Sequence, residues 1–118
     1  MKRERLPPER NAITRKFQLG KIKGYLTTGE YEDGRLGEIF LKIDKQGSLI
    51  SGFADAWAIS VSMMLQNGIP LRYIVDKFKG MRFPPEGMTG NSDMPIASSA
   101  IDYVVRWLEQ RYIDPTQD

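Results

Sequence analysis

Two stretches of this chain carry residue types suited to chemistry, and that chemistry is recognition of an anion. The first is Lys45-Gln46-Gly47-Ser48-Leu49-Ile50-Ser51-Gly52. It sets two glycines, the hydroxyls of Ser48 and Ser51 and the Lys45 ammonium at a helix start, where free N–H groups and the helix dipole favour negative charge. It is not a phosphate-binding P-loop, because the Gly-x(4)-Gly-Lys-Ser/Thr spacing is missing and Lys45 precedes the glycines. The ordinary alternative is a serine N-cap on a tight turn.

The second stretch, Phe78 to Ile96, holds three of the seven prolines and three of the eleven glycines. Connections in small domains run to about 4–6 residues, and longer ordered loops are functional or act as structural lids. Arg82 suits a carboxylate or phosphate, and Phe83 suits stacking on a base. Gly87-Met88-Thr89-Gly90-Asn91-Ser92-Asp93 brings small residues to another helix start, where backbone amides approach a ligand. The competing structural reading has Arg82 bonding Asp55 or loop carbonyls, with Phe83 and Met88 plugging the core. The candidate ligand-binding set is therefore Lys45, Ser48, Ser51, Arg82, Phe83, Thr89, Gly90 and Asn91.

Other chemistries are narrowed by what the composition lacks. There is no cysteine and no histidine, which removes disulfides, thiol nucleophiles, His general bases and nearly all zinc or haem sites. Asp55 is the one acid in an otherwise apolar helix and has no second acid beside it, so a structural ion pair is the expected role. The expectation is a non-enzyme with no catalytic residue, no metal and no cofactor. No run approaches ~18 consecutive apolar residues and the charged N-terminus has no apolar signal region, so a cytosolic protein without a membrane span is expected.

Periodicity gives the elements on which these residues sit. Met1 to Asn11 reads as an extended basic arm, since Pro7-Pro8 forbids helix. Through Lys23 the bases outnumber the acids, although the net charge of the chain is only +2; such an arm is either solvated or in contact with anions. Strands are expected over Ile13–Leu19, Ile22–Tyr31 and Gly37–Asp44, joined by hairpins at Gly20-Lys21 and Asp33-Gly34. Gly24 and Gly29 mark bulges or close backbone contacts in the second. The third alternates, with Ile39, Leu41 and Ile43 inward and Phe40 and Lys42 outward.

A helix over Leu49–Gln66 is apolar most of the way round, so it is either central and buried or shared with another subunit. Asn67-Gly68 closes it in a left-handed cap. A second helix spans Leu71–Lys79. A third runs from Pro95 to about Tyr112, with Ile96, Ala97, Ala100, Ile101, Val104, Leu108 and Tyr112 as its core face and Asp93 or Ser92 as its cap. The fold class is α+β, a three-stranded antiparallel meander covered by three helices in two layers. With 118 residues, 41% apolar and 27% charged, the chain is expected to make one domain: an arm over 1–12, a body over 13–114 and a tail over 115–118.

The residues also form a familiar series. Arg5-Leu6-Pro7-Pro8-Glu9-Arg10, Ile13-Thr14-Arg15-Lys16-Phe17, Tyr31-Glu32-Asp33-Gly34 and Gly37-Glu38-Ile39-Phe40 open it, with Gly47-Ser48 next. Val75-Asp76-Lys77-Phe78, Met81-Arg82-Phe83-x-Pro85-x-Gly87-Met88-Thr89-Gly90-Asn91, Ile101-Asp102-Tyr103 and Arg106-Trp107-Leu108 continue it. This series resembles the TSCPD domain family, the C-terminal region of vitamin B12-dependent (class II) ribonucleotide reductases. Thr89-Gly90-Asn91-Ser92-Asp93 stands where the family has Thr-Ser-Cys-Pro-Asp, so Asn91 replaces the cysteine and Ser92 the proline. The resemblance implies the fold and a nucleotide context, without the barrel that carries radical and cobalamin chemistry.

Two readings are open. In one, the chain is a non-catalytic module for a nucleotide-like anion that regulates a reductase or, if phage-encoded, sequesters a nucleotide immune signal as a sponge. In the other, it is an accessory subunit that completes a split class II reductase in trans, with Trp57, Met63, Met64 and Trp107 at the contact. Both expect a homo-oligomer, from the apolar helix, and neither a specific nucleic acid nor a membrane partner.

Overall fold

The computed structural model describes residues 2–44 and 47–113. Its elements are β1 (Ala12–Leu19), β2 (Ile22–Glu30), β3 (Leu36–Ile43), α1 (Ser48–Gln66), α2 (Leu71–Phe78), β4 (Gly87–Met88), β5 (Ile96–Ala97) and α3 (Ala100–Tyr112). β1, β2 and β3 lie side by side in that order as the three-stranded antiparallel sheet of an α+β fold with three helices, as the alternation and hairpin signals anticipate. The chain forms two compact units: Met1–Lys16 with Lys23–Ile69, and Phe17–Ile22 with Pro70–Asp118.

In the first unit the inward row of β2 and β3 (Leu26, Thr28, Ile39, Leu41 and Ile43) is buried with Ala58 and Val61 of α1. Tyr31 and Arg35 close the Asp33-Gly34 hairpin by a 2.9 Å backbone bond. The register slips between Gly29 and Glu30, one of the two places marked by glycine in the sequence. Thr14 and Thr27 touch through their hydroxyls at 3.1 Å, and Thr27 stands opposite Phe40. Two residues along, Lys16, Tyr25 and Lys42 share the outward face.

The arm is tied to this unit. Glu4 N–H donates to Gln66 O at 2.7 Å, Tyr31 OH to Glu4 O at 2.6 Å and Arg3 Nε to Gln66 Oε1 at 2.6 Å. Arg10 pairs with Glu38 at 2.6 Å. Gly37 makes room for Leu6, because a Cβ there would stand 2.6 Å from Leu6 Cδ2 and 2.8 Å from Tyr31 Cε2.

α1 departs from the buried-helix expectation: only Ala58, Val61 and Gln66 are buried along it. One stripe packs on β3, and most of the apolar remainder faces outward. By length and composition α1 is apolar enough to cross a membrane, yet its inner stripe is engaged with the sheet edge. Asn67-Gly68 ends it as expected, with Gly68 at φ +91° and Ile69 N–H reaching back to Met64 O at 3.0 Å.

The second unit is built on α2 and α3 with the end of β1. Phe17 stacks on Tyr103 with ring centroids 5.0 Å apart. Ile74, Val75, Met94, Val104, Val105 and Leu108 fill the interior with Leu19. Glu109 joins the two helices by accepting from Arg72 and Lys79, each at 2.9 Å. Both cations hold its carboxyl below the usual range against the opposing effect of burial.

α3 begins at Ala100, five residues after the proline expected to start it. Ile96 and Ala97 instead pair with Met88 and Gly87 as a short antiparallel ribbon. The cap is Ser99, whose Oγ accepts from Asp102 N–H at 3.0 Å. The Ser99-x-x-Asp102 spacing is a capping arrangement that the apolar Ile96-Ala97 pair obscures in the sequence. The tail at 115–118 lies outside the described residues.

Candidate functional site

β3 sets the geometry of the first unit's groove. Asp44 N–H bonds Lys23 O at 2.8 Å, so Phe40 and Lys42 point their peptide groups at β2, while Ile39, Leu41 and Ile43 point theirs off the sheet edge. The second half of α1 closes part of that edge. Ser62 Oγ accepts from Ile39 N–H at 2.9 Å, and its proton serves Ile39 O or Ala58 O. Gln66 Nε2 donates to Gly37 O at 3.0 Å.

Along the first half of α1, Ser51, Gly52 and Asp55 face Phe40, Leu41, Lys42 and Ile43 across a groove of about 520 Å³. The start of α1 has Gly47 as N-cap, no side-chain cap bond and no acid in its first turn. The dipole at this end favours a nearby negative charge. Phe40 is 54% exposed. The residues lining the groove therefore include a lysine, a serine, an aspartate and an exposed phenylalanine, beside outward peptide groups. Such a set suits a ligand with a planar ring, an anionic group for Lys42 and a hydroxyl or amino group for Asp55.

Asp55 is exposed, not an acid inside a buried helix. Its suggested partner Arg82 pairs instead with Glu86 at 2.6 Å.

In the second unit the loop is held largely by its own polar side chains. Thr89 Oγ1 donates to Met94 O and accepts from Asn91 N–H at 3.0 Å. Asn91 Oδ1 accepts from Asp93 N–H at 3.0 Å, and its Nδ2 donates to Tyr103 OH at 3.2 Å. Beneath them Asp102, 2% exposed, accepts from Gly80 N–H at 2.7 Å, Ser98 N–H at 2.9 Å and Arg106 Nη1 at 3.1 Å. Burial alone would raise its pKa; the two N–H groups and the guanidinium outweigh it and hold the carboxyl below its usual range. Ser99 Oγ donates to Met81 O at 2.6 Å. Phe83 and Met88 are exposed and do not plug the core.

Of the residues singled out in the sequence, Ser48 and Ser51 thus belong to the first unit, with Ser51 in the groove. Arg82, Phe83, Thr89, Gly90 and Asn91 belong to the second. Lys45 lies outside the described residues. Lys42 and Phe40, which the sequence places on the outer face of a strand, line the groove, and Asp102 anchors the second unit's loop. Among the described residues no His/Cys/Asp/Glu group is arranged to hold a metal.

The sequence profile of the TSCPD domain matches residues 1–112. The chain belongs to the TSCPD domain family. Its relatives include the vitamin B12-dependent ribonucleotide reductase of Rhodopirellula baltica, 47% identical over 91% of this chain and 10% of that protein. The Streptomyces avermitilis protein of the same name is 49% identical over 90% of this chain and 11% of its own length. The Bradyrhizobium diazoefficiens one is 44% identical over 98% and 10%. This TSCPD chain thus spans about a tenth of the length of the curated relatives it matches. No solved structure gives a significant match.

Proposed function

We propose that this TSCPD chain is a non-catalytic, cytoplasmic module that binds a nucleotide-like anion and works as a homo-oligomer. The observation that carries this reading is the groove, whose lining brings Lys42, Ser51 and Asp55 together with an exposed Phe40. Phosphate suits Lys42, a base suits the Phe40 ring, and a ribose hydroxyl or exocyclic amine suits Asp55. Relatedness to ribonucleotide reductases supports a nucleotide context. In that context the module regulates a reductase or, if phage-encoded, removes a nucleotide immune signal. Arg82 with Phe83, exposed on the second unit's loop beside Gly90, is the alternative site for the anion in place of the groove.

The test is a thermal-shift panel of mono-, di-, tri- and cyclic nucleotides. A ligand that binds only the folded chain at 100 times its Kd adds about 2.7 kcal/mol of stability, a rise in Tm of roughly 10 °C. An unchanged Tm across the panel at millimolar concentration defeats the reading.

The second reading, a subunit completing a reductase in trans, is favoured by the match to one region of much longer reductases. It expects no nucleotide shift and co-purification with a reductase that lacks this region.

A further inference from the structure

The outward face of α1 is built for a partner. At 3.6 residues per turn, Leu49, Gly52, Phe53, Ala56, Ile59, Ser60 and Met63 fall within about 60° on either side of Ala56. The stripe packed on β3, with Ala58, Val61 and Ser62, lies on the opposite side. All seven are exposed, Leu49 at 71%, Phe53 at 70% and Met63 at 58%. No charge interrupts them, because Asp55, the only charged residue in α1, sits at the groove side. The one hydroxyl in the set is already satisfied, as Ser60 Oγ donates to Ala56 O at 2.9 Å. A face of this kind loses little and gains apolar burial when water leaves it.

The order of residues identifies the occupant. Counted outward from Ala56, the face reads the same in size both ways: Phe53 and Ile59 large, Gly52 and Ser60 small, Leu49 and Met63 large. An antiparallel copy of α1 centred on Ala56 therefore brings Leu49 level with Met63 of the other copy and sets Phe53 over its Ser60 and Ile59 over its Gly52, large on small, while the two Ala56 residues meet on the axis. The small residues at 52, 56 and 60 let the backbones approach, and the large ones flank them. This self-complementarity is what a two-fold interface requires. The exposed apolar area of the four large residues and their small neighbours is several hundred Å² per copy. That is the scale of the largest and often functional patch on a soluble monomer, and a large share of the ~800 Å² per partner of a stable interface.

We infer that the chain forms a two-fold homodimer through α1–α1 pairing about Ala56, whatever the groove binds. Cysteine cross-linking tests it in a chain that has no cysteine of its own. Under mild oxidation Ala56→Cys should give a disulfide-linked dimer in high yield. Leu49→Cys alone should not, since its two copies would stand about 20 Å apart, but mixed with Met63→Cys it should. Light scattering of the unmodified chain should give twice the chain mass, and Ala56→Arg should give the monomer with an unchanged circular dichroism spectrum. Overturning results are a monomeric mass at high micromolar concentration, with or without binding to lipid vesicles or to a reductase, or a dimer that survives Ala56→Arg without the Ala56→Cys cross-link.

Discussion

Asp102→Ala should cost the second unit about 2–4 kcal/mol, the scale for removing the buried acceptor of a charge-assisted network. The substitution strands the Gly80 and Ser98 N–H groups and leaves Arg106 without its carboxylate. It also frees the loop that Ser99 and Asp102 together hold on α3. Urea denaturation should show the loss, and Tm should fall by roughly 10 °C or more. Asp102→Asn keeps the shape but turns an NH₂ toward one of two N–H donors, so it should recover little.

The same carboxylate makes the unit acid-sensitive. Its folded pKa lies below its unfolded value. The stability it contributes is therefore complete above about pH 4 and is lost as pH falls through the lowered folded value. Glu109 acts in the same direction. A variant whose midpoint moves by less than about 0.5 kcal/mol, the range of ordinary surface changes, would show that the loop does not depend on Asp102.

Gly37→Val should detach the N-terminal arm. The space a Cβ needs is taken by Leu6 and by the Tyr31 ring. Tyr31 cannot yield freely, because its hydroxyl holds Glu4 O and Arg35 lies 4.6 Å over its ring. Leu6 must therefore give way, at about 1–3 kcal/mol for overpacking a filled site. Trypsin should then cut at Arg3, Arg5 and Arg10 far faster than in the parent chain. Leu6→Ala in the same chain should return part of the stability, a coupling that only direct contact produces. An arm that stays protected in Gly37→Val would contradict this packing.

The sheet and its turns were legible because alternation, Asp33-Gly34 and Asn67-Gly68 each report on a handful of adjacent residues. The burial of α1 was not. Apolar periodicity says that a face avoids water, and it is silent on whether a core or a partner covers it. The start of α3 was hidden for a local reason. Ile96 and Ala97 are in phase with the apolar positions of the helix proper, while Ser99 and the ribbon partners Gly87 and Met88 keep them out of it.

The candidate site was half legible. Ser51 was marked by its place near a helix start, but Lys42 and Phe40 read only as the outer face of a strand. Packing of α1 along the β3 edge is what brings them to the same groove. Thr89 and Asn91 show the converse, polar residues in a glycine-rich loop whose side chains are used to fold it.

Whether the groove binds a nucleotide is decided by calorimetry, alongside Tm, on the unmodified chain and on its Lys42→Ala and Arg82→Ala variants. Both side chains are exposed, so neither change should alter the fold. At least one nucleotide should bind the parent chain, Lys42→Ala should weaken it tenfold or more, and Arg82→Ala should leave it nearly unchanged. Loss in Arg82→Ala alone would move the site to the second unit's loop. Absence of binding by the parent chain to every nucleotide at millimolar concentration would contradict the proposal itself.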